Sequence, residues 1–260
     1  MKLGLDGKLA VVTGASKGIG LAITRALVDE GVQVMAGARA VSPDLAWLQS
    51  AGGVEFVSVD LATTFGAQTL VDRAVERGGR VDIVVNNVGA VTPRPGGFNS
   101  VTDEDWVATL NLTLLAAVRT VRAALPHMSA GGSIISISSV NASLPDPLVI
   151  DYSAAKAALT NFSKSLSKEV GPAGIRVNTI GPGPVETDLW LGEHGVAQTV
   201  GQEAGRSPAQ VAADAAAESV TGRFSRPQEV ADLVLLLASD RTANVTGANF
   251  AVDGGMIPTL

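Results

Sequence analysis

Short apolar runs of β type alternate with longer helix-type segments from residue 9 to residue 252, and no other feature limits the fold so strongly. The runs are Leu9–Thr13, Val32–Ala36, Glu55–Val59, Ile83–Asn86, Ser133–Ser138, Arg176–Ile180 and Asn249–Val252. Strands that alternate with helices read as βαβ crossovers, which build a parallel sheet covered on both faces. Seven of them fit one doubly wound α/β sheet, so residues 1–260 are expected to form a single domain. Two helix starts are marked: Thr102 followed by Asp103-Glu104-Asp105, and Ser207-Pro208 with Gln210, both resembling capping boxes. Val91–Gly97, rich in Pro and Gly, and Leu191–Arg206, polar with scattered Gly, are expected as substrate-side loops. The second falls in an expected substrate-side insertion of loop and helix over about 188–222.

Composition removes several classes of function. The chain has no Cys and only two isolated His, His127 and His194, which excludes disulfides, thiolate chemistry and Cys- or His-rich metal sites. A formal charge of −6 argues against nucleic acid as the main partner. No uninterrupted apolar run approaches the ~18 residues that span a bilayer. The start, Met-Lys-Leu-Gly-Leu-Asp-Gly-Lys, lacks the apolar centre of a signal peptide, so a cytoplasmic protein with no membrane partner is expected.

Thr13-Gly14-Ala15-Ser16-Lys17-Gly18-Ile19-Gly20 lies between the first strand and the apolar-periodic segment Leu21–Leu27. Glycines let the backbone turn sharply and approach a pyrophosphate, and a helix N-terminus offers free N–H groups and a positive dipole end. Within a first βαβ unit this string reads as a nucleotide-binding turn.

Tyr152-Ser153-Ala154-Ala155-Lys156 opens a segment with an apolar stripe at Leu159, Phe162 and Leu166. On a helix, Tyr152 and Lys156 share one face, and an ammonium beside a phenol favours the phenolate, moving the Tyr toward neutral as a general acid/base. The pair by itself fits equally well a surface Tyr and Lys on an amphipathic helix. Upstream, Ser133–Ser138 is a buried-strand pattern that runs into consecutive hydroxyls, and Ser139 stands at a strand end, where doubly wound sheets place their sites. Ser139 also fits the simpler role of capping the next turn.

In this order the motifs resemble the short-chain dehydrogenase/reductase family, over Gly7 to Met256. The T-G-x-x-x-G-x-G motif is Thr13–Gly20, with Gly14, Ser16, Lys17, Gly18, Ile19 and Gly20 as cofactor contacts. Asp60-Leu61 matches the pair at the adenine, and Asn86-Asn87-Val88-Gly89 matches N-N-A-G, with Val88 for the usual Ala. Pro182-Gly183-Pro184-Val185-Glu186-Thr187 matches the turn at the nicotinamide end, giving Pro182, Gly183, Val185 and Thr187. The resemblance implies a Rossmann-type fold and a catalytic set of Asn111, Ser139, Tyr152 and Lys156. Tyr152 would be the acid/base, and Lys156 would hold the ribose hydroxyls and lower the Tyr pKa. Ser139 would polarise the carbonyl and Asn111 would order a water-linked proton relay. The cofactor supplies the hydride.

At the end of the second strand the family uses an acid to select NAD; here the residue is Ala38, followed by Arg39, and Lys17 stands in the glycine turn. Two cations and no acid favour NADP(H), with NAD(H) as the lesser alternative. Leu144, Leu148, Trp190, Arg94 and Asn141 are expected to line a pocket for a small, partly apolar ketone or alcohol. The chain also resembles 3-oxoacyl-[acyl-carrier-protein] reductases, but Ser129–Gly132 and Gly171–Gly174 lack the cations expected to meet an acidic carrier. A non-catalytic NADP-binding sensor or scaffold is the alternative of another class; the intact catalytic set argues against it. The small-residue stripe Ala154, Ala158, Ser165 implies close packing against a partner, and the family resemblance implies a homotetramer.

Overall fold

The computed structural model describes residues 2–259. Its strands are β1 (Leu9–Thr13), β2 (Gln33–Ala38), β3 (Val54–Ser58), β4 (Ile83–Asn86), β5 (Ser133–Ile137), β6 (Arg176–Pro182) and β7 (Asn249–Val252). They form one seven-stranded sheet in the order β3-β2-β1-β4-β5-β6-β7, every pair parallel, as the alternation requires. The helices are α1 (Gly18–Asp29), α2 (Pro43–Ala51), α3 (Gly66–Gly78), α4 (Asp103–Leu110), α5 (Ala116–Ala124), α6 (Ile150–Val170), α7 (Asp188–Leu191), α8 (Val196–Ala204), α9 (Pro208–Ala217) and α10 (Pro227–Ala238). A π turn, Asn111–Leu115, joins α4 to α5. This is the Rossmann-type α/β fold.

Side chains alternate across the pleat and fill two cores. Ala10, Val12, Ile83, Val85, Ile135 and Ile137 face α1 and α10, meeting Ile23, Leu27, Val230, Val234 and Leu237. Leu9, Val11, Val84 and Ile134 face the other way, onto Leu70, Val71, Val121 and Leu166. Full burial of each Leu or Ile contributes roughly 1.5–3 kcal/mol, so both faces must be covered for the sheet to persist.

Both expected capping boxes form. The Thr102 hydroxyl accepts from Asp105 N at 3.2 Å and the Asp105 carboxylate accepts from Thr102 N at 3.1 Å; Ser207 and Gln210 repeat the exchange. Several boundaries move: β2 begins at Gln33, β3 spans Val54–Ser58 and β5 ends at Ile137. β2 runs on to Ala38 because its register with β3 continues to Ser58, and β6 runs on to Pro182 because β7 pairs with it there. The helix expected from Tyr152 begins at Ile150. The expected loop Leu191–Arg206 is largely helix: Val196, Ala197 and Gly201 lie on one face of α8 and are buried, a stripe that the polar residues between them hid. One continuous helical stretch, Asp103–His127, is long and apolar enough by length and composition to cross a bilayer, with mean hydropathy 1.2. It became apparent only once Ala, Val and Leu were counted across intervening Arg and Thr. Its Ala116, Ala117, Val121 and Ala124 are buried in this fold, which makes it a core helix.

Candidate active site

β1 ends at Thr13, whose buried hydroxyl donates to Val85 O (3.2 Å) and accepts from Asn87 N (2.9 Å) and Val88 N (3.1 Å). Asn87 Nδ2 returns two bonds, to Thr13 O (3.0 Å) and Gly14 O (3.1 Å). The glycine turn and the end of β4 are thereby one unit. Gly14 has φ +66°, and a Cβ on Gly20 would collide with Gly14 O and Asn87 Nδ2, so neither accepts a side chain without displacing the turn. No side chain caps α1. Its first N–H groups are available to an anion, and Ser16, Lys17, Gly18 and Ile19 are accessible around them. The residues present therefore fit a dinucleotide pyrophosphate.

Of the other expected cofactor residues, Arg39 is exposed just beyond the buried end of β2 at Ala38. Asp60 is exposed, but its carboxylate accepts from Ala62 N at 3.0 Å and shapes a local turn. Leu61 is 3% exposed and belongs to the core beside Leu70, so it is packed inward. Gly183 N donates to Val252 O (3.0 Å), fixing the turn after β6, and Val185 bridges to Ser225. Thr187 Cγ2 would lie 3.2 Å from a Cβ on Gly18, which brings the β6 turn against the start of α1.

Ser139 follows β5 and stands close to the Tyr152 phenol. Its hydroxyl donates to Asn141 Oδ1 (3.1 Å) and accepts from Asn141 N (3.2 Å), so both readings of this Ser hold at once: it caps the next turn and faces the Tyr. Lys156 lies on the same face of α6, Nζ 5.6 Å from the centre of the Tyr152 ring. Its ammonium donates to Ile137 O at 2.6 Å. Ser138 Oγ and Thr160 Oγ1 both donate to Lys156 O, at 3.3 and 3.0 Å, and secure that turn of α6.

The electrostatics differ from the expectation drawn from spacing. Burial pushes the Tyr152 phenol up to about 12, against the opposing pull of nearby Ser139, and burial brings Lys156 down to about 8. The ammonium is turned to a β5 carbonyl and not to the phenolic oxygen, so in this arrangement desolvation outweighs the charge effect.

Asn111 is not gathered with the other three through its side chain. Its Oδ1 accepts from Arg119 Nη2 (3.0 Å), and Arg119 Nη1 donates to Ala62 O (3.1 Å) beyond β3. Arg94, expected as a pocket cation, is engaged elsewhere: Nη2 pairs with buried Asp151 at 2.6 Å and Nη1 with Asp105 at 2.9 Å, while its backbone N donates to Leu148 O. Burial pushes Asp151 up, but the bonds from Arg94 and Thr109 overcome this and hold it below the usual carboxylate range. Arg94 thus ties the 91–97 loop to α4 and to the start of α6. Trp190 packs edge-on against Phe224 at 5.3 Å, anchoring α7. Sequence reasoning missed the contacts of Arg119, Asp151 and Thr109; only Asp151, an acid beside Tyr152 in an apolar run, carried a local signal.

The chain matches, over residues 14–257, a protein family described as enoyl-(acyl carrier protein) reductase. It is 35% identical to the 3-oxoacyl-[acyl-carrier-protein] reductase of Escherichia coli, covering 98% of this chain and 99% of the relative. It is likewise 35% identical to the cis-4-hydroxycyclohexanecarboxylate dehydrogenase of Sinomonas cyclohexanicum, covering 95% and 96%. Among solved structures, L-sorbose reductase of Gluconobacter frateurii, complexed with NADPH and L-sorbose, superposes with a TM-score of 0.92 at 35% identity over the full length of both chains. The chain belongs to the short-chain dehydrogenase/reductase family and is an oxidoreductase acting on CH–OH groups.

Proposed function

We propose that this protein is an NADP(H)-dependent oxidoreductase that interconverts a ketone and a secondary alcohol on a small, partly apolar substrate. The observation that carries this reading is Lys156 over the Tyr152 ring with Ser139 close to the phenol, at the sheet edge that also carries the uncapped start of α1. Bound at the glycine turn, the nicotinamide nucleotide supplies the hydride. Tyr152 gives its phenolic proton to the carbonyl oxygen in reduction and takes it back in oxidation. Ser139 donates to the same oxygen, and Lys156 brings the positive charge that lowers the phenol once its ammonium turns from Ile137 O. Buried Ala38, with exposed Arg39 and Lys17, supports NADP(H) over NAD(H). NADPH in the sorbose reductase complex agrees with that choice.

A 3-oxoacyl thioester substrate is the second reading, supported by the carrier-protein reductase relatives; the absence of cations in 129–132 and 171–174 weighs against it. For assembly we propose a homotetramer. Leu159 and Leu166 are buried on the sheet, whereas Ala154 and Ser165 are exposed on α6 and Val107 and Leu115 on the neighbouring helical stretch, a surface suited to a second copy. Light scattering at micromolar concentration checks it; a mass near one chain is the contrary result. Following NADPH oxidation with a panel of ketoses, cyclic ketones, 3-oxoacyl thioesters and steroids tests the reaction and substrate class together. No turnover with any of them would count against the enzyme reading.

A further inference from the structure

Tyr152 is the third residue of α6, and the start of that helix is not fixed in the way that others in this protein are. α4 and α9 open on capping boxes, whereas Val149 precedes α6 with no side-chain cap. The first turn of an uncapped helix carries free N–H groups and frays. One turn further on, Lys156 O accepts from Thr160 and Ser138. The turn in need of a hold is therefore the one that carries the tyrosine.

A residue far away in the chain provides it. Asp151 lies next to Tyr152, and its side chain is 2% exposed. Its Oδ2 accepts from Arg94 Nη2 at 2.6 Å and from Thr109 Oγ1 at 2.7 Å. The other arm of the guanidinium, Nη1, pairs at 2.9 Å with Asp105, the residue that closes the α4 capping box. Arg94 N donates to Leu148 O at 2.6 Å, in the turn Pro147–Val149 that leads into α6. One side chain and its own backbone thus fasten the 91–97 loop, α4 and the first turn of α6 together. Stability alone does not account for this arrangement. A buried ion pair contributes little net stability, and this one leaves Asp151 Oδ1 and Arg94 Nε buried without partners among the described residues, which is unfavourable. What the cluster supplies is position.

We propose that Arg94 is a positioning residue for the reaction: through Asp151 it fixes the first turn of α6 and so sets the Tyr152 phenol against Ser139 and the substrate carbonyl. The catalytic consequence rests on the oxidoreductase reading; the placement of the ring does not. The groups that face Asp151 are Arg94 from the loop and Thr109 from α4, with Asp105 behind the guanidinium, and those near the phenol are Lys156 and Ser139.

Tyr152 is the only tyrosine in the chain, so incorporated fluorotyrosine gives one fluorine NMR resonance that reports its ring with or without a substrate. Arg94→Met alone leaves the Asp151 carboxylate buried and unpaired, which is strongly destabilising. Arg94→Met combined with Asp151→Leu removes both charges, and such apolar replacements of a buried pair commonly keep stability. The double variant should melt close to the unaltered protein, yet its fluorine line should shift and broaden. On a good substrate its kcat should fall by about tenfold to a hundredfold, the scale of a reacting group displaced by about 1 Å, while KM and NADPH affinity stay within about twofold. Arg94→Lys keeps a cation beside Asp151 but cannot fork between two carboxylates. It should show the same changes in smaller degree, which keeps the test open if the double variant folds poorly. If the unaltered protein turns over no substrate, the oxidoreductase reading fails while the fluorine line still decides the placement of the ring. A fluorine line or a kcat that is unaltered in both variants overturns the proposal, as does a raised KM with kcat unchanged, which would make Arg94 a substrate contact.

Discussion

The turn after β1 and the segment after β6 both stand at the carboxyl edge of the sheet, yet they are built differently. The first is fixed by its backbone: two Thr13 and Asn87 bonding sets, a left-handed Gly14 and a Gly20 with no room for a side chain. The second, from Thr187 to Ser225, consists of three short helices held by a few apolar contacts, chiefly Val196, Ala197, Val211 and Trp190 on Phe224. In the proposed reading the cofactor would meet a cradle fixed by its backbone, while the substrate would meet elements whose exposed side chains leave little apolar area to hold them. The difference separates what this family shares from what distinguishes one member.

The contrast can be broken at its chemical centre first. Tyr152→Phe should leave NADPH binding nearly intact and reduce kcat by 10² or more, roughly the scale of a lost general acid/base. Titration of NADPH fluorescence beside steady-state turnover separates the two effects, and near-normal turnover would refute the assigned acid. On the cradle side, NADPH should exceed NADH in kcat/KM by about tenfold to a thousandfold, mostly through KM, and the preference should shrink with salt. Ala38→Asp combined with Arg39→Ala should turn it toward NADH; equal use of both cofactors by the unaltered protein at low salt would remove Arg39 as the phosphate ligand.

A smaller effect concerns the ligand-free state. The folded Lys156 value of about 8 lies below the ordinary 10.5, so the unfolded chain binds more protons between those values. The stability of the ligand-free protein should rise with pH across that window, by at most about 1.4 kcal/mol per unit. Tyr152 acts oppositely: its folded value, about 12 against 10.0, makes stability fall above pH 10. Urea unfolding from pH 7.5 to 10 should show the rise, and Lys156→Met should flatten it. The smallest expected difference is dynamic. Amides of α7 and α8 should gain about tenfold hydrogen-exchange protection when NADPH and substrate are added, with β1 and β4 unchanged. Equal protection of the segment with and without ligands would make it a fixed wall.

Much of this arrangement was legible along the chain. The alternation of runs specified a parallel sheet, because strands buried on both faces must be apolar throughout. The glycine turn, the capping boxes at Thr102 and Ser207, and the Ser139, Tyr152, Lys156 set are local patterns, carried by spacing within one turn or one strand end. The ion pairs of Arg94 were hidden for the opposite reason. Its partners Asp105 and Asp151 are 11 and 57 residues away, and a cation in a loop looks free until those elements fold around it.

The sequence by itself determined the sheet and its glycine turn, and it marked the candidate reacting side chains, since these follow from backbone conformation, short-range periodicity and motif spacing. Only the tertiary structure decided that Leu61 packs inward, that Asn111 faces Arg119, that Leu191–Arg206 holds a helix, and that burial moves Tyr152 and Lys156 away from each other in proton affinity. Each of these depends on which distant groups share a low-dielectric interior, and contact between residues far apart in the chain is set by packing, not by their order.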